Sequence, residues 1–346
     1  MFEWKLKLQK RLIKSKIKRN QEKVASEVVD KNVSTVILSG LSKLLLLSFF
    51  GVLILFPFIL MISISFMTDD EALKLQTEFR FLPSFTEGRT YFVNTSANGA
   101  GGFSIAPWAT VVANTYKRAF TSGFWSSAGF TFLNVLISVV LKVVITFLMG
   151  YAFSLRNWKG KNVVWFLALA LLVLPEVALL SGQYTVVVRT NLKSNLFTML
   201  LGVSLPFVAS IFNTVMYKNA FEAIPGRIKE VSLVDGASGF KYLFKVAFPM
   251  VVPTTLTIVI LTSLASWNSY LWPSIIASDF KQAQVISVWL FKAGIDPNDP
   301  DSTLNIQQNI RLAASVIVIL PMFIIYLIFR KRIMSAISRQ GSTIKG

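Results

Sequence analysis

The sequence predicts an all-α integral membrane protein with six transmembrane helices. Only 15% of its 346 residues are charged while 53% are hydrophobic, where a typical soluble chain is about one quarter charged. The mean hydropathy is +0.59. Six segments, roughly 36–67, 128–153, 163–188, 195–217, 250–272 and 311–330, each supply the run of about 20 largely apolar residues that crosses a bilayer. The 35 Lys and Arg against 17 Asp and Glu leave a net charge of +18. On a soluble chain that charge would suggest nucleic acid. In a bilayer it marks cytoplasmic loops, and no nucleic-acid partner is expected.

The chain contains no Cys and no His. Disulfides, thiolate nucleophiles, the usual zinc sites, Ser-His-Asp triads and imidazole bases are therefore excluded, and neither a catalytic residue nor a metal ligand is proposed.

Residues 1–33 form a basic tail with ten Lys or Arg before the first apolar run. That distance exceeds what a signal peptide leaves before its apolar core, so the tail is expected to be retained. Trp4, Leu6, Leu8, Leu12 and Ile13 alternate with its lysines. Two readings stand side by side: a segment lying on anionic membrane lipid, and a solvated tail that fixes orientation. Residues 34–68 form the first span, where Pro57 is a candidate kink and Lys43 can snorkel.

Residues 69–127 form an outer loop, expected to be a small cap. It carries the turn cluster Asn98-Gly99-Ala100-Gly101-Gly102, the aromatics Phe79, Phe81, Phe85, Tyr91, Phe92 and Trp108, and a glycosylation-type triplet Asn94-Thr95-Ser96 of little weight. Residues 128–330 hold the other five spans and 331–346 form a second tail. One side of this topology carries ten basic residues in the tail, three in the second loop, five at 217–248 and five after the last span; the other side carries ten in much longer loops. The positive-inside rule places both termini in the cytoplasm.

Between the fourth and fifth spans, residues 218–249 read as two short helices. Pro225 suits a first turn, Ile228, Val231, Leu233 and Val234 recur at helical spacing, and Gly236 can end the helix in a left-handed conformation. Phe240, Leu243, Phe244 and Phe248 mark a second amphipathic piece, which Pro249 ends as it opens the next span. Glu230, Gly236, Val246 and Phe248-Pro249 fit the pattern E-A-A, three residues, G, nine residues, I-x-L-P, with Val231 and Ser232 for the two alanines.

That loop resembles the one in the membrane subunits of binding-protein-dependent ABC importers. Trp267-Asn268-Ser269-Tyr270-Leu271-Trp272-Pro273 is similar to W-N-D-F-x-W-P of the carbohydrate-type permeases. Asn134, Ala223-Ile224-Pro225, Leu320-Pro321 and the ending Gly341-Ser342-Thr343-Ile344-Lys345-Gly346 fall where that group has counterparts. The resemblance covers roughly 125–346, and the subgroup most similar is the second, maltose-type permease subunit.

The resemblance implies a permease fold of the type I importers, with a cytoplasmic helix-turn-helix coupling loop. Its implied partners are a second permease subunit, two copies of an ABC ATPase, an extracytoplasmic solute-binding protein and membrane lipid. The chain would bind no cofactor; ATP and Mg would sit on the ATPase. It has no G-x-x-x-x-G-K-[ST] of its own. The implied coupling residues are Ala223, Pro225, Glu230, Ser232, Asp235, Gly236, Ala237, Phe244 and Pro249. Within them Glu230 and Asp235 could accept hydrogen bonds from the ATPase, or Asp235 could only cap its own turn.

Candidate pathway residues are Glu176, Gln183, Tyr184, Asn213, Asn268 and Tyr270, types that hydrogen-bond hydroxyls or stack on sugar rings. Lys142 and Glu176 are charges inside spans, functional candidates by default, and a mutual pair is an equal reading. Trp267 and Trp272 could equally be interface-belt aromatics. Other classes are poorer fits: an ABC permease for a phosphate ester or peptide, and more distantly an ion-coupled secondary transporter. The latter would be expected to carry more carboxylates in its spans.

Overall fold

A computed structural model describes residues 33–75, 77–92, 102–120, 123–155, 158–277, 284–295 and 307–342. The expectations placed on residues 1–32, Asn94-Thr95-Ser96, the cluster at 98–101, Arg156, Lys281 and 343–346 lie outside these residues. So do those on the side chains of Glu176 and of 331–342.

The described residues divide into two units at Leu60 and Met61. Helix α1 (Val33–Ser65) begins in the first and ends in the second, without interruption at Pro57. Its aliphatic and aromatic side chains from Ile37 to Ile59 are exposed, a surface that calls for lipid rather than water.

The cap follows. Thr68 starts α2 (Asp69–Lys74) with a capping box: its hydroxyl accepts from the Glu71 amide while the Glu71 carboxylate accepts from its own amide. Strands β1 (Gly88–Phe92) and β2 (Gly102–Ala106) pair antiparallel, Gly88 opposite Ala106 and Phe92 opposite Gly102. Helix α3 (Trp108–Phe120) turns Val111, Thr115 and Ala119 inward. Arg118 donates to the buried Asp69 carboxylate at 2.7 Å and to Gln307 at 3.0 Å, and Asn309 donates to the same Asp69 oxygen at 2.7 Å. This network ties the cap to the start of the last helix, α14 (Gln308–Ser342).

Helix α4 (Phe124–Ser154) is the central post. Beside its start, Phe124 packs on Trp289 of α13 (Ile286–Lys292). Near its far end, Phe147 and Tyr151 pack on Phe221 of α8 (Ile211–Glu222). At about 1.5 Å per residue these ends are far apart. Gly150 allows α4 and α8 to touch: a Cβ there would stand 2.4 Å from Tyr217 Cβ. Tyr217 is fully buried and donates to Thr255 at 3.1 Å.

The six expected segments are not six continuous helices. Four described helices are long and apolar enough to cross a membrane: Ile37–Ser65, Phe124–Ser154, Gly239–Trp267 and Gln308–Arg330. The fourth expected segment is a pair, Leu196–Phe207 and Ile211–Glu222, bent by 60°. It comprises α7 (Leu196–Ser204), a 3₁₀ turn at Leu205–Phe207 containing Pro206, and α8, whose Ser210 cap starts a new helix. The third, 163–188, is two short helices, α5 (Lys161–Leu171) and α6 (Glu176–Arg189). Pro175 separates them, because proline disfavours helical geometry in the residue before it.

Candidate functional site

Two features stand out on this frame: a cavity at mid-length of α4 that a hydroxyl and amide cluster lines beside apolar side chains, and an exposed loop at the end of α4 remote from the cap. The loop is built as follows. Ala223 caps α8 and Pro225 precedes α9 (Gly226–Val234), with its fixed φ and missing N–H suited to that junction. Helix α9 ends in a Schellman motif: the Gly236 amide donates to Leu233 O at 3.1 Å and the Ala237 amide to Ser232 O at 2.8 Å. Gly236 has φ +69°, the left-handed region open to glycine. Nothing lies within 4 Å of a Cβ placed there, so the requirement is set by the backbone rather than by crowding.

The implied coupling residues divide between two faces. Glu230, Asp235, Gly236 and Phe244 are exposed, whereas Ser232 and Ala237 are buried. The Ser232 hydroxyl is folded back onto Lys229 O at 2.7 Å. Among the described residues no hydrogen bond uses the Asp235 carboxylate, so capping of its own turn is not what the side chain does. Apolar side chains stand among the charged ones on the outward surface: Val234 is 88% and Phe240 76% exposed, and Val231 and Leu233 are exposed as well. Sequence reasoning used these four only as periodicity markers; their distance from any expected core was the available clue.

The second loop helix differs from expectation. It does not stop at Pro249. Helix α10 (Gly239–Tyr242) passes through a π turn at Leu243–Ala247 directly into α11 (Phe248–Trp267). The Phe248 amide bonds Leu243 O, five residues back. This wider turn accommodates Pro249, whose ring would collide with a carbonyl four residues earlier in a regular helix. Phe240 stacks on Phe244 at 6.4 Å, and Phe147 meets Phe244, Phe248, Tyr217 and Phe221 at 5.3–6.4 Å. The loop is thereby joined to α4 and α8 by packed rings.

The cavity has a volume of about 320 Å³. Helix α4 contributes Asn134, Ser138 and Lys142, each four residues apart on one face. Helix α7 adds Ser204, the end of α11 adds Ser266, and Ser269 and Tyr270 follow it. Ser138 donates to Ser204 at 3.0 Å, and Ser204 to Asn134 Oδ1 at 2.9 Å. Trp272, in α12 (Leu271–Ile276), forms a wall; its indole N–H donates to Gly202 O at 3.1 Å and the ring is buried, so it is no interface-belt residue.

Of the pathway candidates Tyr270 lines this cavity, and Glu176 adjoins Val177, which also lines it. The others sit elsewhere. Gln183 lies further along α6 with its Oε1 buried and, among the described residues, unbonded. Tyr184 lies under Lys193, Nζ at 5.3 Å from its ring. Asn213 is buried in the first turn of α8, and Asn268 donates back to Leu264 O at 3.0 Å. Ser138, Ser204, Ser266 and Ser269 were missed because a single hydroxyl in an apolar span has no distinctive spacing.

A helical membrane protein with a cavity lined by both polar and apolar side chains at mid-length, and an exposed helix-turn-helix with outward apolar side chains at one end, has the form of a transport subunit. Residues 142–339 match the family described as binding-protein-dependent transport system inner membrane component. A probable ABC transporter permease protein of Mycoplasma genitalium is 39% identical, over 91% of this chain and 92% of its own. The arabinooligosaccharide transport system permease protein AraQ of Bacillus subtilis is 27% identical over 61% of this chain and 70% of its own. The fold is similar to that of a chain in the crystal structure of a bacterial ABC transporter that imports the acidic polysaccharide alginate. The TM-score is 0.67 at 22% identity, over 88% of this chain and 99% of the other. The protein belongs to the binding-protein-dependent family, as an inner-membrane permease component of ABC importers.

Proposed function

We propose that this chain pairs with a second permease to form the translocation pathway for a sugar or oligosaccharide delivered by an external binding protein. The complex carries two copies of a separate ATPase, holding ATP and Mg, and this chain couples to the ATPase through the loop around Glu230-Gly236 on the cytoplasmic side, where both termini also lie. The observation that carries this reading is the outward apolar surface of α9 and α10, fixed by the Schellman turn at Gly236 and joined to α4 by the Phe147 ring cluster. Motion of the ATPase at the loop would reach the spans through those rings.

The cavity supports a hydroxyl-rich solute: Asn134, Ser138, Ser204 and Tyr270 offer donors and acceptors beside the wall of Trp272. Named relatives include a transporter of arabinooligosaccharides, which favours carbohydrate over a peptide. Reconstitution of the complete complex tests the proposal. ATP hydrolysis should be stimulated by a binding protein loaded with a sugar and not by one loaded with a peptide. Stimulation only by peptide or inorganic ions would reject the carbohydrate assignment.

A further inference from the structure

A second recess lies at the end of α4 remote from the cap, and neither the cavity nor the outward face of the loop accounts for it. Its volume is about 380 Å³. It gathers Tyr151 and Ser154 from the last turn of α4, Lys161 from the start of α5, Glu222 from the end of α8, Lys229 from α9 and Tyr242 from α10. The outward apolar side chains Val231, Leu233, Val234 and Phe240 are not among its walls.

The walls hold donors that lack acceptors. Tyr242 is only 7% exposed, yet among the described residues its hydroxyl has no hydrogen-bond partner, and neither has that of Tyr151. A phenol buried to that degree usually finds a partner. The Lys229 ammonium has neither an ion pair nor a hydrogen bond among the described residues, and Lys161 uses one of its three protons, on Leu155 O at 2.6 Å. The carboxylate in the wall is already matched, since Glu222 pairs with Lys218 at 2.7 Å. Water satisfies phenols but does not offset two ammonium charges; an anion with several acceptor oxygens does both. The level of the recess narrows the class of anion. Helix α4 runs 31 residues. At 1.5 Å per residue that is about 46 Å, beyond the hydrocarbon thickness of about 30 Å, so its ends emerge among the phosphates of the bilayer surface. Exposed Trp158, whose indole N–H donates to Ala152 O at 3.0 Å, is the residue type favoured at that boundary.

We propose that this recess is a binding site for a phosphate group, held by the ammoniums of Lys161 and Lys229 and the hydroxyls of Tyr151 and Tyr242. An anionic phospholipid headgroup and free inorganic phosphate present the same chemistry, and either would join α4, α5 and α9 through one anion. The assignment depends on neither the identity of the solute nor the docking of the ATPase.

Dihexanoylphosphatidylglycerol, inorganic phosphate and dihexanoylglycerol are each titrated onto the full chain in a neutral detergent at constant ionic strength, with the temperature of unfolding as readout. That temperature should rise saturably with a phosphate-bearing probe and not with dihexanoylglycerol, which has the same acyl chains without the phosphate. The phosphate-bearing probe that saturates at the lower concentration identifies the source. In Lys229→Gln and in Tyr242→Phe the saturating concentration should increase about tenfold, as for loss of one charge-assisted hydrogen bond. Lys229→Gln breaks no described side-chain contact, so it reads the site without disturbing the fold. An unfolding temperature unmoved by both phosphate-bearing probes would overturn the proposal. So would a rise with dihexanoylglycerol equal to that with the phospholipid, or unchanged saturation in Lys229→Gln.

Discussion

At Gly150 the distance between two helices depends on one missing atom. A methyl group there would meet Tyr217 Cβ at 2.4 Å and the Lys218 amide nitrogen at 3.0 Å. Both belong to a helix that cannot yield without moving the buried Tyr217. Gly150→Ala should lower stability by about 1–3 kcal/mol, the usual range for overpacking, and thermal unfolding in detergent should show it as a reduced midpoint. Glu71 supplies a second residue-scale test. Burial would raise its pKa, but the hydrogen bonds from Ser84 and Thr68 prevail and hold the carboxyl below the ordinary value of 4.5. Its contribution to the cap is therefore full at neutral pH and is lost as pH falls below about 4.5, through the lowered value. The protection of the Ser84 amide, which donates to Glu71 at 2.9 Å, against hydrogen exchange relative to a free amide at the same pH should fall over that interval. In Glu71→Gln that pH-dependent fall should be absent. Gly236 was legible in sequence because a helix stop requires few residue types; the inward turn of Ser232 was not, because a serine in place of an alanine fits either face.

The elements near the loop show what periodicity cannot resolve. Pro249 reads as a break in any sequence, yet α10 and α11 form one helix because a π turn offers its ring room. Conversely the apolar run at 163–188 reads as one span and is two helices, since hydropathy is blind to the backbone constraint of Pro175. The polar lining of the cavity comes from separate stretches of chain, α4, α7 and the end of α11 with Ser269 and Tyr270 after it, while α6 adds only Val177 and Leu180. Only the spacing of Asn134, Ser138 and Lys142 within α4 could have announced it. If α9 and α10 dock through apolar contact, Val234→Glu and Phe240→Glu should each reduce the ATPase co-purified with the permease by about tenfold. That loss corresponds to about 1.4 kcal/mol, within what burial of such side chains contributes. The Lys229→Ala variant, altering an exposed charge on the same helix, should have a smaller effect.

Across the whole molecule, α4 separates the cap from the coupling loop, with the cavity between them. If the distribution of Lys and Arg orients this frame as proposed, a reporter fused after Gly346 should be active in the cytoplasm, and activity restricted to the outside would reverse the assignment. The central claim is that the loop couples an ATPase to the pathway, and Gly236→Val tests it most directly. Valine at φ +69° carries a penalty of about 1 kcal/mol or more, worsened by branching, while no neighbour crowds its Cβ. The chain should insert at normal levels, yet uptake of labelled solute should fail, with the ATPase either lost on co-purification or hydrolysing ATP regardless of the loaded binding protein. Normal uptake by a fully assembled Gly236→Val complex would contradict the account.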